Sequence, residues 1–422
     1  MPRKCRCASL SGLRLWYNES ALYLKRKESK RKMEILFYRY GSVCEPDIID
    51  AFRQSGLTVL EDTAEITKKS LSDADRLLAV ERVLKTRRPL FVFSINFYPV
   101  IADICHIYQT LYLCWTVDSP VPELFSASVR HTTNRIFLFD RAQYQSFSRY
   151  QPDHIFYLPL ASCTERFDRV MASISAADRA AFSCDISFVG SLYSEKNPLR
   201  TLSGLSDYSR GFIQGLVEAS LKVSGYNPVE DALTNTVVTD IKKNDPQFFT
   251  LKNTVASPDH YVAAHSYIGM EIAQTERIRT LNRLAQNFSV DLFTKSDTTP
   301  LKNVRTHGGV QTLTEMPKIF RLSKINLNMT IKPIQTGLPL RIFDILGCGG
   351  FLMTNYQSEL TEYFEIGTDL EAYSCLEELE EKCSFYLTHG NERQQIAQNG
   401  YAKVSSLHTY PQRIVEMLRY IT

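Results

Sequence analysis

From Met33 onward, short apolar runs alternate with longer stretches whose apolar residues recur at helical spacing. The runs near 34–39, 57–60, 89–95, 111–117, 135–139 and 154–158 read as strands. The stretches near 45–55, 71–86, 97–107, 119–129 and 140–149 read as helices. Phe91-Val92-Phe93-Ser94-Ile95 and Leu111 to Val117 are apolar at almost every position, as strands covered on both faces are. Regular alternation of strand and helix predicts a doubly wound parallel sheet in an α/β fold.

The pattern restarts at Asp185-Ile186-Ser187-Phe188-Val189-Gly190, with further strands near 289–294, 303–306, 324–329, 349–354 and 369–373. Between its first two strands lies a mostly helical segment, about 197–285, far longer than a usual crossover, so part of it is an insertion, placed at about 197–262. Ser374-x-x-Glu377 and Asn391-x-x-Gln394 match the reciprocal capping pattern of helix starts. The expected organisation is one domain over 33–183, a second over 184–408, and a last helix within 409–422 that packs back on the first domain. Two such domains face each other across a cleft, and ligands bind beyond the carboxyl ends of the strands.

Charge changes the picture at the amino terminus. Residues 1–32 hold ten Lys and Arg against two Glu, whereas the remainder holds 39 basic and 44 acidic residues. The folded part is therefore mildly acidic, which argues against nucleic acid as a partner. Residues 1–32 read as a disordered basic leader ahead of a working start at Met33, or else as a weak contact with an anionic membrane surface. Ten scattered cysteines without a C-x-x-C pair fit reduced thiols in the cytoplasm. No apolar run reaches the roughly 20 residues that a membrane-spanning helix needs.

The segment Gly337 to Thr354, G-L-P-L-R-I-F-D-I-L-G-C-G-G-F-L-M-T, holds the densest chemistry. Pro339 suits a helix start, Gly337 lets another group approach the backbone, and the bare helix end favours an anion beside Arg341. Arg341 and Asp344 share a face; the competing reading is a surface ion pair worth about 0.2–0.5 kcal/mol. Gly190-Ser191 with Lys196 at a strand exit reads as a phosphate cradle or as an ordinary turn with a solvated lysine. Asp118, beyond the buried strand Leu111 to Val117, faces the cleft as a proton acceptor or bonds loop amides. Asn96 ends the strand before it, either at the site or as a helix cap, and Tyr40-Gly41 follows the first strand, where glycine admits a ligand or simply turns the chain.

Other constellations carry nothing. Asp73 and Asp75 sit after Ser72 as acids at a helix start, the histidines lack metal-ligand spacing, and no G-x-S-x-G elbow exists.

Lys324-Ile325-Asn326-Leu327-Asn328 through Thr354, Tyr356-Gln357-Ser358-Glu359-Leu360 and His408-Thr409-Tyr410 resemble the carboxyl-terminal domain of group-1 glycosyltransferases, in their CgeB-like (spore maturation protein) branch. Tyr38-Arg39-Tyr40-Gly41, Ser94-Ile95-Asn96-Phe97, Val117-Asp118-Ser119-Pro120 and Ser187 to Tyr193 are similar to the rest of that branch. The resemblance implies a GT-B fold of two Rossmann-like domains, a nucleotide-diphosphate sugar as donor on the second, an unknown glycan, protein or small-molecule acceptor on the first, and no cofactor or metal. The expected donor contacts are Gly190, Ser191, Lys196, Gly337, Arg341 and Asp344, of which the resemblance places Asp344 on the ribose and Lys196 on the diphosphate. Asp118 is the expected base, with Tyr40, Gly41 and Asn96 on the acceptor side. Two departures from the family pattern are Thr336, where a glutamate is usual, and Ser191, where arginine is frequent. A non-catalytic nucleotide- or sugar-binding module and a nucleotide-sugar epimerase are the alternatives.

Overall fold

The computed structural model describes residues 33–68 and 71–421. The basic leader, with its expected disorder or membrane contact, lies outside the described residues. The amino-terminal lobe is one sheet of six strands: β1 (Glu34–Tyr38), β2 (Thr58–Asp62), β3 (Phe91–Ile95), β4 (Leu111–Trp115), β5 (Asn134–Leu138) and β6 (Ile155–Tyr157). They stand in the order β2-β1-β3-β4-β5-β6. The carboxyl-terminal lobe repeats the design with β7 (Ile186–Val189), β8 (Val290–Phe293), β9 (Arg305–His307), β10 (Ile325–Asn328), β11 (Leu352–Asn355) and β12 (Glu371–Tyr373). Their order is β12-β11-β10-β7-β8-β9. Every strand pair in both sheets is parallel.

Each sheet reverses its winding once, between β1 and β3 in the first lobe and between β7 and β10 in the second. Crevices open at such points because the helices on either side leave in opposite directions. The strands next to them are buried along their length, β3, β7, β8 and β10 at every residue, as the apolar runs required. Edge strand β9 is exposed throughout and carries Arg305 and His307, polar residues that keep an unpaired edge from recruiting another chain.

Three connections tie the lobes. The chain leaves the first lobe at Ser162 and returns at Thr409, and there Ser162 N donates to His408 O while Tyr410 N donates to Ser162 O. The returning helix Tyr410–Leu418 then lies against the helix Glu45–Gln54, burying Ile414 and Met417 among Ile48, Ile49 and Phe52. Full burial of such side chains stabilises by about 1.5–3 kcal/mol each. The insertion supplies the second tie. Its helices Asp207–Ser220 and Asn235–Asn244 share a small core with Val262, Tyr267 and Ile268, but Leu251, Val255, Ala256 and Tyr261 pack into the first lobe. The third tie, at Asp140, belongs to the site described below.

The structure corrects three local expectations. The helix expected over 119–129 is two 3-10 turns, Pro122–Phe125 and Ala127–Arg130. Its backbone is drawn instead to the insertion: Ala127 N donates to Asn253 O, and Val255 N to Phe125 O. Neither expected capping box forms. The helix Leu376–Thr388 starts after Cys375, where Ser374 N donates to Glu378 Oε2, and Asn391 already lies inside the helix Gly390–Leu407. Reciprocal caps occur instead at Ser175 with Asp178 and at Thr409 with Gln412.

The helix Leu340–Gly347 ends as glycine allows. Gly349 takes φ +65° and donates to Leu346 O, while Gly350 donates to Ile345 O. At Gly350 a Cβ would lie 2.5 Å from Phe320 O, a backbone atom that cannot swing away. Gly350→Ala should therefore lower stability by about 1–3 kcal/mol, read as a shift in the urea midpoint of the transition that includes this lobe.

Candidate active site

The amino-terminal wall of the cleft is built at the carboxyl ends of β1, β3 and β4. Asn96, just past β3, adopts φ +60°, a conformation that asparagine tolerates. Its side chain faces the neighbouring strand end rather than capping a helix: Oδ1 accepts from Val117 N at 3.0 Å, and Nδ2 donates to Asp118 Oδ2 at 2.7 Å. The Tyr40 hydroxyl donates to the same Asp118 oxygen at 3.2 Å. Three strand ends thus converge on one exposed carboxylate held through Oδ2. Burial, reinforced by Asp118, pushes the Tyr40 hydroxyl well above its usual range, so tyrosine serves as a donor here.

Gly41 is a correction. The fully buried carboxylate of Glu45 accepts from the amides of Tyr40, Gly41 and Ser42 at 2.9, 2.9 and 3.1 Å and pairs with Arg39 at 2.9 Å. That loop's amides are occupied by its own chain, and glycine is required by the turn, at φ +97°.

The carboxyl-terminal wall forms where β7 and β10 part. Arg277, from the helix Gly269–Leu284, spans the gap by donating to Ser191 O at 2.6 Å and Met329 O at 2.7 Å. Its guanidinium lies over the Tyr193 ring at 4.5 Å, and the Lys196 ammonium approaches the same ring at 5.5 Å. Ser191 is engaged in the turn, donating to Glu195 Oε1 at 2.6 Å while accepting from Tyr193 N. Burial depresses the Arg341 guanidinium's affinity for its proton, Asp344 and Tyr193 restore part of it, and nearby Arg277 lowers it further. Lys196 and Arg277 therefore share the Tyr193 ring, whereas the Arg341 guanidinium lies over the Phe320 ring at 5.1 Å and donates to the Met316 sulfur.

Arg341 and Asp344 stand 3.5 Å apart, with side chains 27% and 20% exposed, so the pair is set into the wall rather than on an open surface. Burial raises the Asp344 carboxyl to about 6; Arg341 and Arg166 oppose the shift and Asp47 adds to it. Asp47 itself is bound by Arg166 through two contacts of 2.7 Å. Cys44 links the walls: burial pushes its thiol up to about 12, and Asp118 and Asp344 both lie near enough to push it further.

Gly337 is the second correction. Its helix begins at Leu340 with Pro339 as the cap, and a Cβ on Gly337 would lie 2.8 Å from Asp140 Cα. What approaches this glycine is the other lobe's backbone, not a ligand. Asp140, 1% exposed, accepts from Gln335 N at 2.6 Å and Thr336 N at 3.3 Å, and also caps its own helix through Ala142 N. Thr336 Oγ1 lies 2.9 Å from Asp140 Oδ1 and 2.6 Å from Glu359 Oε1. Ser119 Oγ, beside Asp118, donates to Pro333 O at 2.7 Å. The loop 333–336 is thereby fastened to the first lobe next to the candidate base.

Residues 274–419 match the family model Glyco_trans_1_2, described as glycosyl transferase-like. No curated protein matches the sequence. Among solved structures, the chain is similar to Anabaena Alr3699/HepE in complex with UDP and glucose, at 12% identity over 92% of this chain and 99% of that one, with a TM-score of 0.50. The complex of the same protein with UDP-glucose matches at 11% identity over 92% and 98%, also with a TM-score of 0.50. The chain has the GT-B fold. Two six-stranded parallel sheets facing a cleft are what that fold consists of. Among the described residues, no helix is long and apolar enough to cross a membrane.

Arg277, Asp140 and Glu359 were not marked by the sequence reading. Each is a single polar residue in an ordinary helical or turn context, and only the folded chain shows what it bridges. Asp344 supplies a pH test. Its folded value, about 6, lies above the ordinary aspartate value of 3.8, so its ionisation disfavours the folded state. This contribution to stability is full below about pH 4 and is lost as pH rises through about 6. Wild type should therefore lose melting temperature relative to Asp344→Asn across that window, and a pH-independent difference between the two would contradict the assignment.

Proposed function

We propose that the protein transfers a glycosyl group from a nucleotide-diphosphate sugar on the carboxyl-terminal lobe to a hydroxyl of an acceptor on the amino-terminal lobe. The observation that carries this reading is that Asp118, held by Asn96 and Tyr40, stands beside Ser119, which bonds Pro333 of the lobe that carries Lys196, Arg277 and Arg341. In the reaction the bond from the anomeric carbon to the donor's phosphate oxygen breaks and a bond to the acceptor oxygen forms. The electron pair leaves with the nucleoside diphosphate, and the acceptor's proton goes to Asp118. Lys196 and Arg341 stabilise the charge on the leaving diphosphate. Arg277 has two nitrogens committed to carbonyls, so it contributes its field and fixes the strand ends. Asp344, one turn along from Arg341, accepts hydroxyls of the ribose once ionised.

The finer placement in the CgeB-like branch rests on the motifs at 324–360 and 408–410. The eight described cysteines are all free, which supports a cytoplasmic location. Both HepE structures contain UDP or its glucose conjugate, so UDP is the first nucleotide to test.

Calorimetry with nucleoside diphosphates should show Lys196→Ala and Arg341→Ala weakening affinity by about tenfold or more, since each removes a charge-assisted hydrogen bond. Asp118→Asn should leave that affinity nearly unchanged while slowing transfer, or slow donor hydrolysis, by about 10²–10⁴. Unchanged affinity in both cation variants removes the donor assignment. Tight nucleotide binding without sugar release from any donor would favour a binding module, and an isomerised donor without acceptor would favour an epimerase.

A further inference from the structure

A cavity of about 150 Å³ lies at the carboxyl ends of β10, β11 and β12, and Asp118, Lys196, Arg341 and Asp344 are all absent from its walls. One wall is the insertion segment 221–227, which closes down on the second lobe. Gly225, at φ +70°, sits so close to Tyr356 that a Cβ would lie 2.9 Å from the ring. The insertion is therefore fitted to this spot. We infer that the cavity is a second small-molecule site, for a neutral polyhydroxylated ligand the size of one monosaccharide ring.

Its free polar groups point to that chemistry. Glu276, from the helix Gly269–Leu284, lines the cavity and forms no ion pair with a described residue; Asn355, Lys332 and Arg277 are its polar neighbours. The side-chain amides of Gln335 and Gln357 on the same walls are also unbonded among the described residues. The walls carry Glu276 against Lys332 and Arg279, and Arg279 is already paired with Glu218, so neither sign of ligand charge is favoured. Hydroxyl groups satisfy these sites, because each donates to the carboxylate and accepts from an amide. Tyr356 and Tyr226 also line the cavity. A cavity of about 150 Å³ is known to admit one six-membered ring.

The site is distinct from the donor cleft but shares a wall with it. Gln335 belongs to both the cavity and the loop that Asp140 fastens, and Pro333 O in that loop holds Ser119 beside Asp118. Occupancy thus bears on the contact between the lobes.

The test is ligand-observed NMR on the full chain with glucose, galactose, mannose, N-acetylglucosamine and myo-inositol, each with and without saturating UDP. At least one should bind, UDP should not displace it, and Glu276→Gln and Gln357→Ala should each weaken it by about tenfold, as expected for a lost hydrogen bond, while leaving UDP affinity unchanged. A second readout uses wild type alone. Cys375 is an exposed thiol on the cavity wall, so peptide-resolved alkylation of Cys375 should slow when the sugar is present. Binding by none of the five, binding displaced by UDP, or binding indifferent to both variants with no protection of Cys375 each overturns the inference. None of these results touches the donor assignment, which is read by nucleotide affinity.

Discussion

The buried carboxylate of Asp140 is the contact on which the arrangement of the two lobes depends. A carboxylate that is almost fully shielded from water is tolerated only when its oxygens are met by donors. Here the donors come from both lobes: its own helix start on one side, and the amides of Gln335 and Thr336 on the other. Thr336 passes the network on to Glu359, which also accepts from Arg141 N, so a second buried acid is met by the first lobe. Burial raises the Glu359 carboxyl, and the hydroxyls of Thr336 and Tyr157 and the amide of Arg141 hold it down. The residue that departs from the family pattern, Thr336, is thus used at the junction of the lobes.

Because the loop 333–336 is fixed in this way, Ser119 meets Pro333 and Asp118 faces the second lobe. Two further ties, the paired crossover at Ser162 and Thr409 and the strap 251–261, act at other points of the interface. Hydrophobic burial in the returning helix provides stability, whereas the polar contacts determine how the walls oppose one another. The chemistry needs that opposition: an acid on one side to take a proton, and cations on the other to receive charge on a leaving diphosphate. Arg277 illustrates the economy of the design, since one guanidinium spans β7 and β10 and lends its field to the place where they part.

Most of the fold was legible in the chain because parallel strands covered on both faces are apolar runs, and such runs alternate with helices. The segment 119–129 was not, because its conformation is set by pairing with residues more than a hundred positions away. Capping patterns misled at Ser374 and Asn391, since a hydroxyl or amide three residues before a glutamate or glutamine also occurs where helices follow one another closely. In the site, Tyr40, Asn96 and Asp118 were visible as polar residues just past buried strands. Gly41 and Gly337 marked special backbone, but glycine does not say why: Gly41 serves a turn at φ +97°, and Gly337 admits the backbone of Asp140 from the other lobe. Arg277 and Asp140 lacked any local mark.

The most direct measurement is a crystal structure of the full chain with UDP bound. The account predicts the diphosphate within hydrogen-bonding distance of Lys196 and Arg341, with Asp118 across the cleft from its terminal phosphate. A diphosphate seated on the amino-terminal lobe, or in the cavity beside Glu276, would contradict it.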